Sequence, residues 1–192
     1  LVLIALKSYE ANLRVDNRCR RILWHQSDLN RDHRRPNDED ALSADIAEHL
    51  RLTIGRQGVI ANREVQVSRQ DIPEELGGEA GQRLDIIVDA VSSQDQRRLS
   101  LVVEVKGSWN RDARTSMQSQ LVDRYLASGQ WRHGIYVVGW FAAATWSPQD
   151  NRRNSGPWDS LEEMTEDLKT QASSLSQNGR VVRAVTIDCS LR

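Results

Sequence analysis

The chain has 192 residues, in which 26 lysines and arginines nearly balance 27 aspartates and glutamates, for a formal net charge of −1. This length suits one domain with a proper core, and the balanced charge excludes a protein that binds polyanions through its overall charge. Cys19 and Cys189 lie far apart and match no metal-ligand spacing, which indicates a reducing compartment without disulfides or structural zinc. We therefore expect a cytoplasmic protein.

The amino-terminal region begins with an apolar run, LVLIAL, that is followed at once by Lys7 and Glu10. The run is too short to cross a bilayer and lacks the basic start and cleavage site of a signal peptide, so no membrane partner is expected. Residues 1–40 are predicted to form a helical extension and a polar linker, the end of a preceding region in a longer protein. Residues 41–192 are predicted to form the main domain.

The first helix of that domain is predicted at residues 41–54. Its apolar residues recur at intervals that place them on one stripe, which would pack on a sheet: Leu42, Ile46, Leu50 and Ile54. Glu48 lies off this stripe, beside small or apolar residues that could line a second contact. A solvated position on the helix surface is the alternative for Glu48.

Two strands follow, at residues 59–67 and 83–91, separated by a loop rich in proline, glycine and glutamate. The GGEAG stretch in this loop opens a strand and not a helix, which excludes a glycine-rich phosphate cradle. In the second strand the alternation of residues puts Asp85 and Asp89 on the face opposite to Leu84, Ile86 and Val88.

The central strand is predicted at residues 99–107, and its odd positions form a wholly apolar face. Glu104 and Lys106 point to the other face, where Gly107 ends the strand. The short polar connection at residues 92–98 predicts an antiparallel hairpin with the preceding strand. The apolar faces of the two strands coincide only if even positions of the first pair with odd positions of the second, which brings Asp85 beside Glu104 or Lys106.

Asp85, followed on the next strand by Glu104-Val105-Lys106, resembles the motif of the PD-(D/E)xK nuclease superfamily, also called restriction-endonuclease-like. The resemblance covers residues 42–141, and Arg83-Leu84 stands where the motif has proline or another variable residue. It implies an α/β fold with a three-layer α-β-β-β-α-β core and a mixed central sheet, here with an amino-terminal helical extension and a carboxy-terminal α-β addition. It also implies Mg²⁺-dependent hydrolysis of phosphodiester bonds in DNA, with Mn²⁺ as a substitute.

The resemblance further implies roles for individual residues. Asp85 and Glu104 would hold Mg²⁺, with the Val105 carbonyl and waters completing the octahedron. Lys106 would orient the attacking water or steady the developing negative charge. Glu48 would hold a second ion or a metal-bound water.

The rest of the chain is predicted to form a helix at residues 112–128, a strand at 133–143, a helix at 160–174 and a strand at 181–187. Gln120 and Tyr125 resemble a Gln-and-Tyr signature of one branch of the superfamily, with a spacing one residue longer than its commonest form. Seven residues are candidates for nucleic-acid contact near the site: Trp109, Arg111, Arg114, Gln120, Arg124, Arg152 and Arg153.

These residues are compatible with three classes of function. A metal-dependent endonuclease that acts in defence against foreign DNA or in DNA processing is favoured, because Asp85, Glu104 and Lys106 occur together. The alternatives are a catalytically silent nuclease-like domain that binds nucleic acid or a protein partner, and a structural domain with an interstrand ion pair. The balanced charge predicts that another domain or subunit targets the chain, and the resemblance allows a homo-oligomer.

Overall fold

The computed structural model describes residues 1–25, 34–66, 83–91 and 98–191. Residues 27–33 of the predicted linker at 27–40, the GGEAG loop, and residues 92–97 of the predicted hairpin connection lie outside these ranges. The helices before the sheet are α1 (Val2–Leu13), α2 (Arg18–Leu23) and α3 (Glu39–Ile54). Helix α3 begins two residues before the predicted start, because the Asp38 side chain caps it by accepting a hydrogen bond from the Ala41 N–H at 3.0 Å.

The described strands form one five-stranded sheet in the order β1-β2-β3-β4-β5. Their bounds are β1 (Val59–Gln66), β2 (Arg83–Val91), β3 (Arg98–Gly107), β4 (His133–Trp140) and β5 (Val181–Asp188). The pairs β1–β2 and β2–β3 are antiparallel, whereas β3–β4 and β4–β5 are parallel. The prediction of a mixed sheet in an α/β fold is therefore confirmed.

Helices cover both faces of this sheet. On one face, Val103 and Val105 of β3 pack in a cluster with buried side chains of α1, α2 and α3. On the other face, Val102 packs in a second cluster with the chain that connects β3 to β4 and with α5 (Leu161–Leu175). The two clusters follow from the alternation of side chains along a strand that is covered on both sides.

The connection from β3 to β4 is only partly α-helical. A short helix, α4 (Ala113–Ser116), continues as a π-helical segment, Met117–Leu126, and Gly129 ends the turn that follows with a φ of 79°. The sequence predicts one continuous helix here. A π-helical segment bonds residue i to residue i+5, so it accommodates more residues per turn than an α-helix.

The amino-terminal helices share the core with the sheet. Leu6, Tyr9 and Leu13 of α1 are fully buried in the cluster that also holds Ile46 and Leu50 of α3. Within the described ranges, no helix is long and apolar enough to cross a membrane.

The segment between β4 and α5 docks directly on the end of β3. A Cβ atom on Gly156 would lie 1.9 Å from the Ser108 carbonyl oxygen, so only glycine fits this contact. Ser108 is itself held in place by two hydrogen bonds. Its N–H donates to the Gly139 carbonyl at 2.8 Å, and its hydroxyl accepts from the Phe141 N–H at 3.0 Å. The loop is thereby fixed beside the residues that follow Lys106.

We expect the substitution Gly156→Ala to lower the free energy of unfolding by about 3 kcal/mol, because the added methyl group forces two backbone segments apart. Gly55→Ala is the matched control, since no atom lies within 4 Å of a Cβ at Gly55. That control should change stability by less than about 0.5 kcal/mol. Chemical denaturation of both variants measures the difference, and equal stabilities would contradict the close contact at Gly156.

Candidate active site at the end of the central strand

The hairpin register brings Asp85 to the acidic end of β3. Ile86 pairs with Val103 and Val88 with Leu101, so even positions of β2 lie opposite odd positions of β3, as the burial argument predicts. The paired residues end at Ile86 and Val103, and beyond them Asp85 Oδ2 accepts a hydrogen bond of 2.7 Å from the Val105 N–H. The predicted parity is confirmed from Ile86 onward, whereas Leu84 packs in the cluster of Val102 and not, as predicted, on the face of Ile86. The hydrogen bond to Val105 holds the Asp85 carboxylate at the strand from which Glu104 projects.

Glu104 is a buried acid with one unsatisfied oxygen. The residue is 3% exposed, and its Oε2 atom has no hydrogen-bond partner among the described residues. Burial, followed by repulsion from Asp85, raises the pKa of Glu104 to about 7. Burial also raises the pKa of Asp85, against the opposing effects of the Val105 N–H and Lys106. Such an arrangement of two acids favours a bound proton or cation.

Lys106 supplies the nearest positive charge. Its Nζ atom donates to Glu104 Oε1 at 2.6 Å and lies 4.0 Å from Glu39 Oε2. Burial would lower the pKa of Lys106, but Glu104 and Glu39 outweigh burial and raise it. The ammonium therefore stays charged and is held between two carboxylates.

Glu39 is a member of this cluster that the sequence analysis did not identify. It lies in the first turn of α3, and its Oε1 atom accepts hydrogen bonds from the Gly107 N–H at 2.8 Å and from Asn110 Nδ2 at 2.9 Å. The side chain thus joins the start of α3 to the end of β3. The run of acidic residues at 38–40 marks the helix start in the sequence, but it does not by itself say which strand end lies nearby.

The structure does not bring Glu48 to this cluster. Its carboxylate is 50% exposed and pairs with Arg51 at 2.7 Å on the surface of α3. Leu52, on the same side, is 72% exposed, so the second contact expected for this face is not made by the described residues. Glu48 lies about 13 Å farther along the helix axis than Glu39, which is why only Glu39 reaches β3.

Tyr125 and Gln120 lie on the π-helical segment that packs beside Glu104. Burial and the charge of Glu104 raise the pKa of Tyr125 to about 12, so the phenol stays protonated near the acidic cluster. In an α-helix, residues i and i+4 lie about one turn apart, whereas in a π-helix residues i and i+5 do. The π-helical geometry therefore puts Gln120 and Tyr125 one turn apart despite their longer spacing in the sequence.

An open cleft of about 320 Å³ lies beside the acidic cluster. Its lining includes Glu39, Asn110, Trp109 and Arg152. Trp109 is almost fully buried, packs against Phe141 with ring centroids 4.6 Å apart, and carries the Arg152 guanidinium 5.4 Å above its ring. Trp109 therefore forms a wall of the site and is not a free stacking platform.

Most of the candidate arginines are engaged within the chain. Arg152 pairs with Asp150 at 2.9 Å and Arg114 with Asp167 at 2.9 Å, while Arg124 bonds the Tyr125 side chain. Arg111 is exposed and makes no hydrogen bond or ion pair within the described part of the chain. Local cations for a phosphate backbone are therefore few, in agreement with the balanced net charge.

The donor set at this site suits a hard cation, though it is incomplete without further ligands. Across residues 1–25, 34–66, 83–91 and 98–191, no group of three or more histidine, cysteine, aspartate or glutamate side chains is arranged to hold a metal ion. Asp85 and Glu104 nevertheless offer two adjacent carboxylates, one of them with the buried and unpartnered Oε2 oxygen. Oxygen ligands of this kind, supplemented by water, are those that Mg²⁺ prefers.

These features rest on the chain's own residues, without support from a relative of known function. The chain matches no family model, no curated protein and no solved structure.

Proposed function

We propose that this chain is a Mg²⁺-dependent endonuclease of the restriction-endonuclease-like kind, with DNA as substrate and Mn²⁺ as a substitute metal. One observation carries the proposal: Glu104 Oε2 is buried without a partner among the described residues, near Asp85 and at the strand end that also carries Lys106. A structural ion pair would satisfy both oxygens, because an unpartnered buried carboxylate oxygen costs stability without compensation. A cation that binds during function supplies the missing partner.

Asp85 Oδ1, Glu104 Oε2 and the Val105 carbonyl are the groups that would hold the ion. The bound Mg²⁺ would lower the pKa of a coordinated water and neutralise charge on the phosphate. The Val105 N–H fixes Asp85 through its Oδ2 atom, so the carboxylate is oriented before an ion binds.

Lys106 and Glu39 act around this pair of acids. The Lys106 ammonium can stabilise the negative charge that develops on the phosphate or orient the attacking water, since it is a compact cation with three donors. Glu39 Oε2 lies 4.0 Å from Lys106 Nζ and attracts the ammonium. Glu39 Oε1 holds Gly107 and Asn110 through hydrogen bonds. It takes the place that the sequence analysis assigns to Glu48.

The order of elements supports the same proposal. An acidic helix, three antiparallel strands, a helical crossover and a parallel strand follow one another from α3 to β4. The π-helical segment compensates for the extra residue between Gln120 and Tyr125 and directs Tyr125 toward Glu104. A net charge of −1 and the engaged arginines suit a chain that is brought to DNA by a partner domain or subunit in the cytoplasm.

The test is cleavage of supercoiled DNA, linear duplex DNA, single-stranded DNA and RNA, with Mg²⁺, Mn²⁺ or a chelator. We expect metal-dependent cleavage of DNA by the unaltered chain and none by Asp85→Asn, which keeps an acceptor for the Val105 N–H but loses the charge. Glu39→Gln should lower the rate about tenfold or more, because it keeps the Oε1 acceptor and removes the charge beside Lys106.

Glu48→Gln is the matched control in the same helix, and its rate should equal that of the unaltered chain. Circular dichroism and thermal unfolding establish that each variant is folded. Failure to cleave any of the three DNA substrates with either metal, or cleavage of RNA alone, would contradict the proposal. Equal losses in Glu39→Gln and Glu48→Gln would contradict the assignment of Glu39.

A further inference from the structure

A second cavity, of about 480 Å³, opens at the carboxyl ends of β3 and β4. Four of the six tryptophans of the chain line it: Trp109, Trp140, Trp146 and Trp158. Its volume lies in the range of pockets that bind small molecules and single nucleotide units. The carboxyl edge of parallel strands is also where ligands commonly bind in open α/β sheets.

Of these four tryptophans, Trp140 is partly exposed and presents ring surface to the cavity, whereas the other three are at most 9% exposed and make the wall rigid. The indole N–H of Trp146 donates to the Phe141 carbonyl at 3.1 Å, and that of Trp158 donates to Asp167 Oδ2 at 2.7 Å. Trp109 packs edge to face on Trp146 with ring centroids 5.8 Å apart. Because these polar atoms are satisfied inside the protein, the buried rings hold the wall in place, and Trp140 can offer contact area at little entropic cost.

The rim of the cavity carries polar groups of three kinds. Arg153 donates through Nε to the Ala143 carbonyl at 2.7 Å, which fixes the guanidinium and leaves its two Nη groups without a partner in the described chain. The side chains of Asn154 and Asp159 also line the cavity and have no hydrogen bond or ion pair with the described residues. A cation, an amide and a carboxylate therefore border one aromatic wall.

We infer that this cavity binds one unstacked nucleotide, with its base against the exposed surface of the Trp140 ring and its phosphate on Arg153. An aromatic surface takes any nucleobase by stacking or edge contact, while free guanidinium donors match phosphate oxygens. At the edge of the base, the amide of Asn154 can donate or accept hydrogen bonds, and the carboxylate of Asp159 can accept them. A purely apolar ligand would leave these three groups unused.

The cavity adjoins the proposed cleavage site through Trp109. A Cβ atom on Gly107 would lie 2.5 Å from the Trp109 ring, so the indole rests directly on the residue after Lys106. The inference rests on the proposed function in one respect: it makes the nucleotide part of the nucleic-acid substrate. Since a base inside a duplex is stacked and paired, the substrate would be single-stranded, frayed at an end, or opened at one base.

The experiment follows tryptophan fluorescence of the chain with EDTA present, so that no divalent metal contributes. The probes are deoxyadenosine monophosphate, deoxyadenosine, deoxyribose 5-phosphate, an oligodeoxyadenylate single strand and the corresponding duplex. We expect quenching by the monophosphate, weaker quenching by the nucleoside and none by the sugar phosphate. The single strand should bind more tightly than the monophosphate, and the blunt duplex should bind at least tenfold more weakly than the single strand.

Three variants locate the binding. Arg153→Gln should lower the affinity for the monophosphate about tenfold and leave the affinity for deoxyadenosine unchanged, because only the phosphate contact is removed. Trp140→Leu, which replaces the partly exposed ring, should lower the affinities for both the monophosphate and deoxyadenosine. Arg56→Gln is the matched control, since Arg56 is exposed at the far end of α3 and should change neither.

Each outcome decides the inference. Quenching by the sugar phosphate alone, or equal losses in Arg153→Gln and Arg56→Gln, would overturn the nucleotide site. Binding of the monophosphate but not of the single strand would overturn the assignment to substrate and indicate a free nucleotide. Because no metal is present, single-strand binding by a chain that never cleaves would leave this inference standing and refute the proposed function.

Discussion

Replacing Lys106 by alanine is expected to lower the rate of DNA cleavage about 100- to 1,000-fold while Mg²⁺ still binds. The substitution removes a cation that acts on developing charge and leaves Asp85 and Glu104 in place. Affinity for Mg²⁺ should rise, since Lys106 Nζ no longer competes for Glu104 at 2.6 Å. Single-turnover cleavage and calorimetric titration of the metal measure the two effects separately.

The same variant tests the role of Lys106 in the metal-free fold. Without its ammonium, Glu104 and Glu39 lose their shared cation, so the variant should be destabilised in EDTA by about 3 kcal/mol and recover with Mg²⁺. Lys169→Ala is the control, because Lys169 is 74% exposed and pairs only with Glu166 on the surface of α5. Unchanged cleavage in Lys106→Ala would rule out this site as the catalytic one.

The stabilisation of the chain by Mg²⁺ is expected to increase with pH between pH 6 and pH 8. The pKa of Glu104 is raised from its usual 4.5 to about 7, so Glu104 is mostly protonated at pH 6 and ionised at pH 8. An ion must displace that proton at the lower pH, which weakens its affinity about tenfold. Lys106 keeps its charge throughout this range, because its own pKa is raised.

At saturating Mg²⁺, a tenfold difference in affinity adds about 1.4 kcal/mol of stabilisation, or about 4 °C in Tm for a chain of this size. Differential scanning fluorimetry with Mg²⁺ and with EDTA at the two pH values measures this shift. Glu104→Gln should lose both the metal response and its pH dependence, whereas Glu48→Gln should keep them. A metal response that is equal at both pH values would contradict the role given to Glu104.

The pairing of the two acids follows from the sequence, because burial decides the register of a hairpin. The apolar faces of β2 and β3 coincide in only one parity, and that parity brings Asp85 beside Glu104 or Lys106. Strand and helix positions are likewise read from periodicity, and they differ from the structure mainly at their ends. The largest such difference is at β4, which ends at Trp140 and not at residue 143.

The position of Glu39 depends on chain direction in three dimensions. The short turn at Gly55–Gln57 joins α3 to β1, so the two elements run in opposite directions. Strands β1 and β3 are both antiparallel to β2 and therefore run in the same direction. The start of α3 therefore lies at the edge of the sheet where β3 ends. Glu48 has the more suggestive neighbours in the sequence, but it lies too far along the helix to reach that edge.

The sequence therefore defines the elements, the acidic hairpin and the lysine beside it, because periodicity and burial act over neighbouring residues. Tertiary structure decides which further groups meet them. The π-helical segment holds Tyr125 near the charge of Glu104, Glu39 reaches Lys106 from another layer, and Gly156 and Ser108 meet at the cavity that four tryptophans line. Each of these depends on contacts between segments far apart in the chain, which no local pattern of residues encodes.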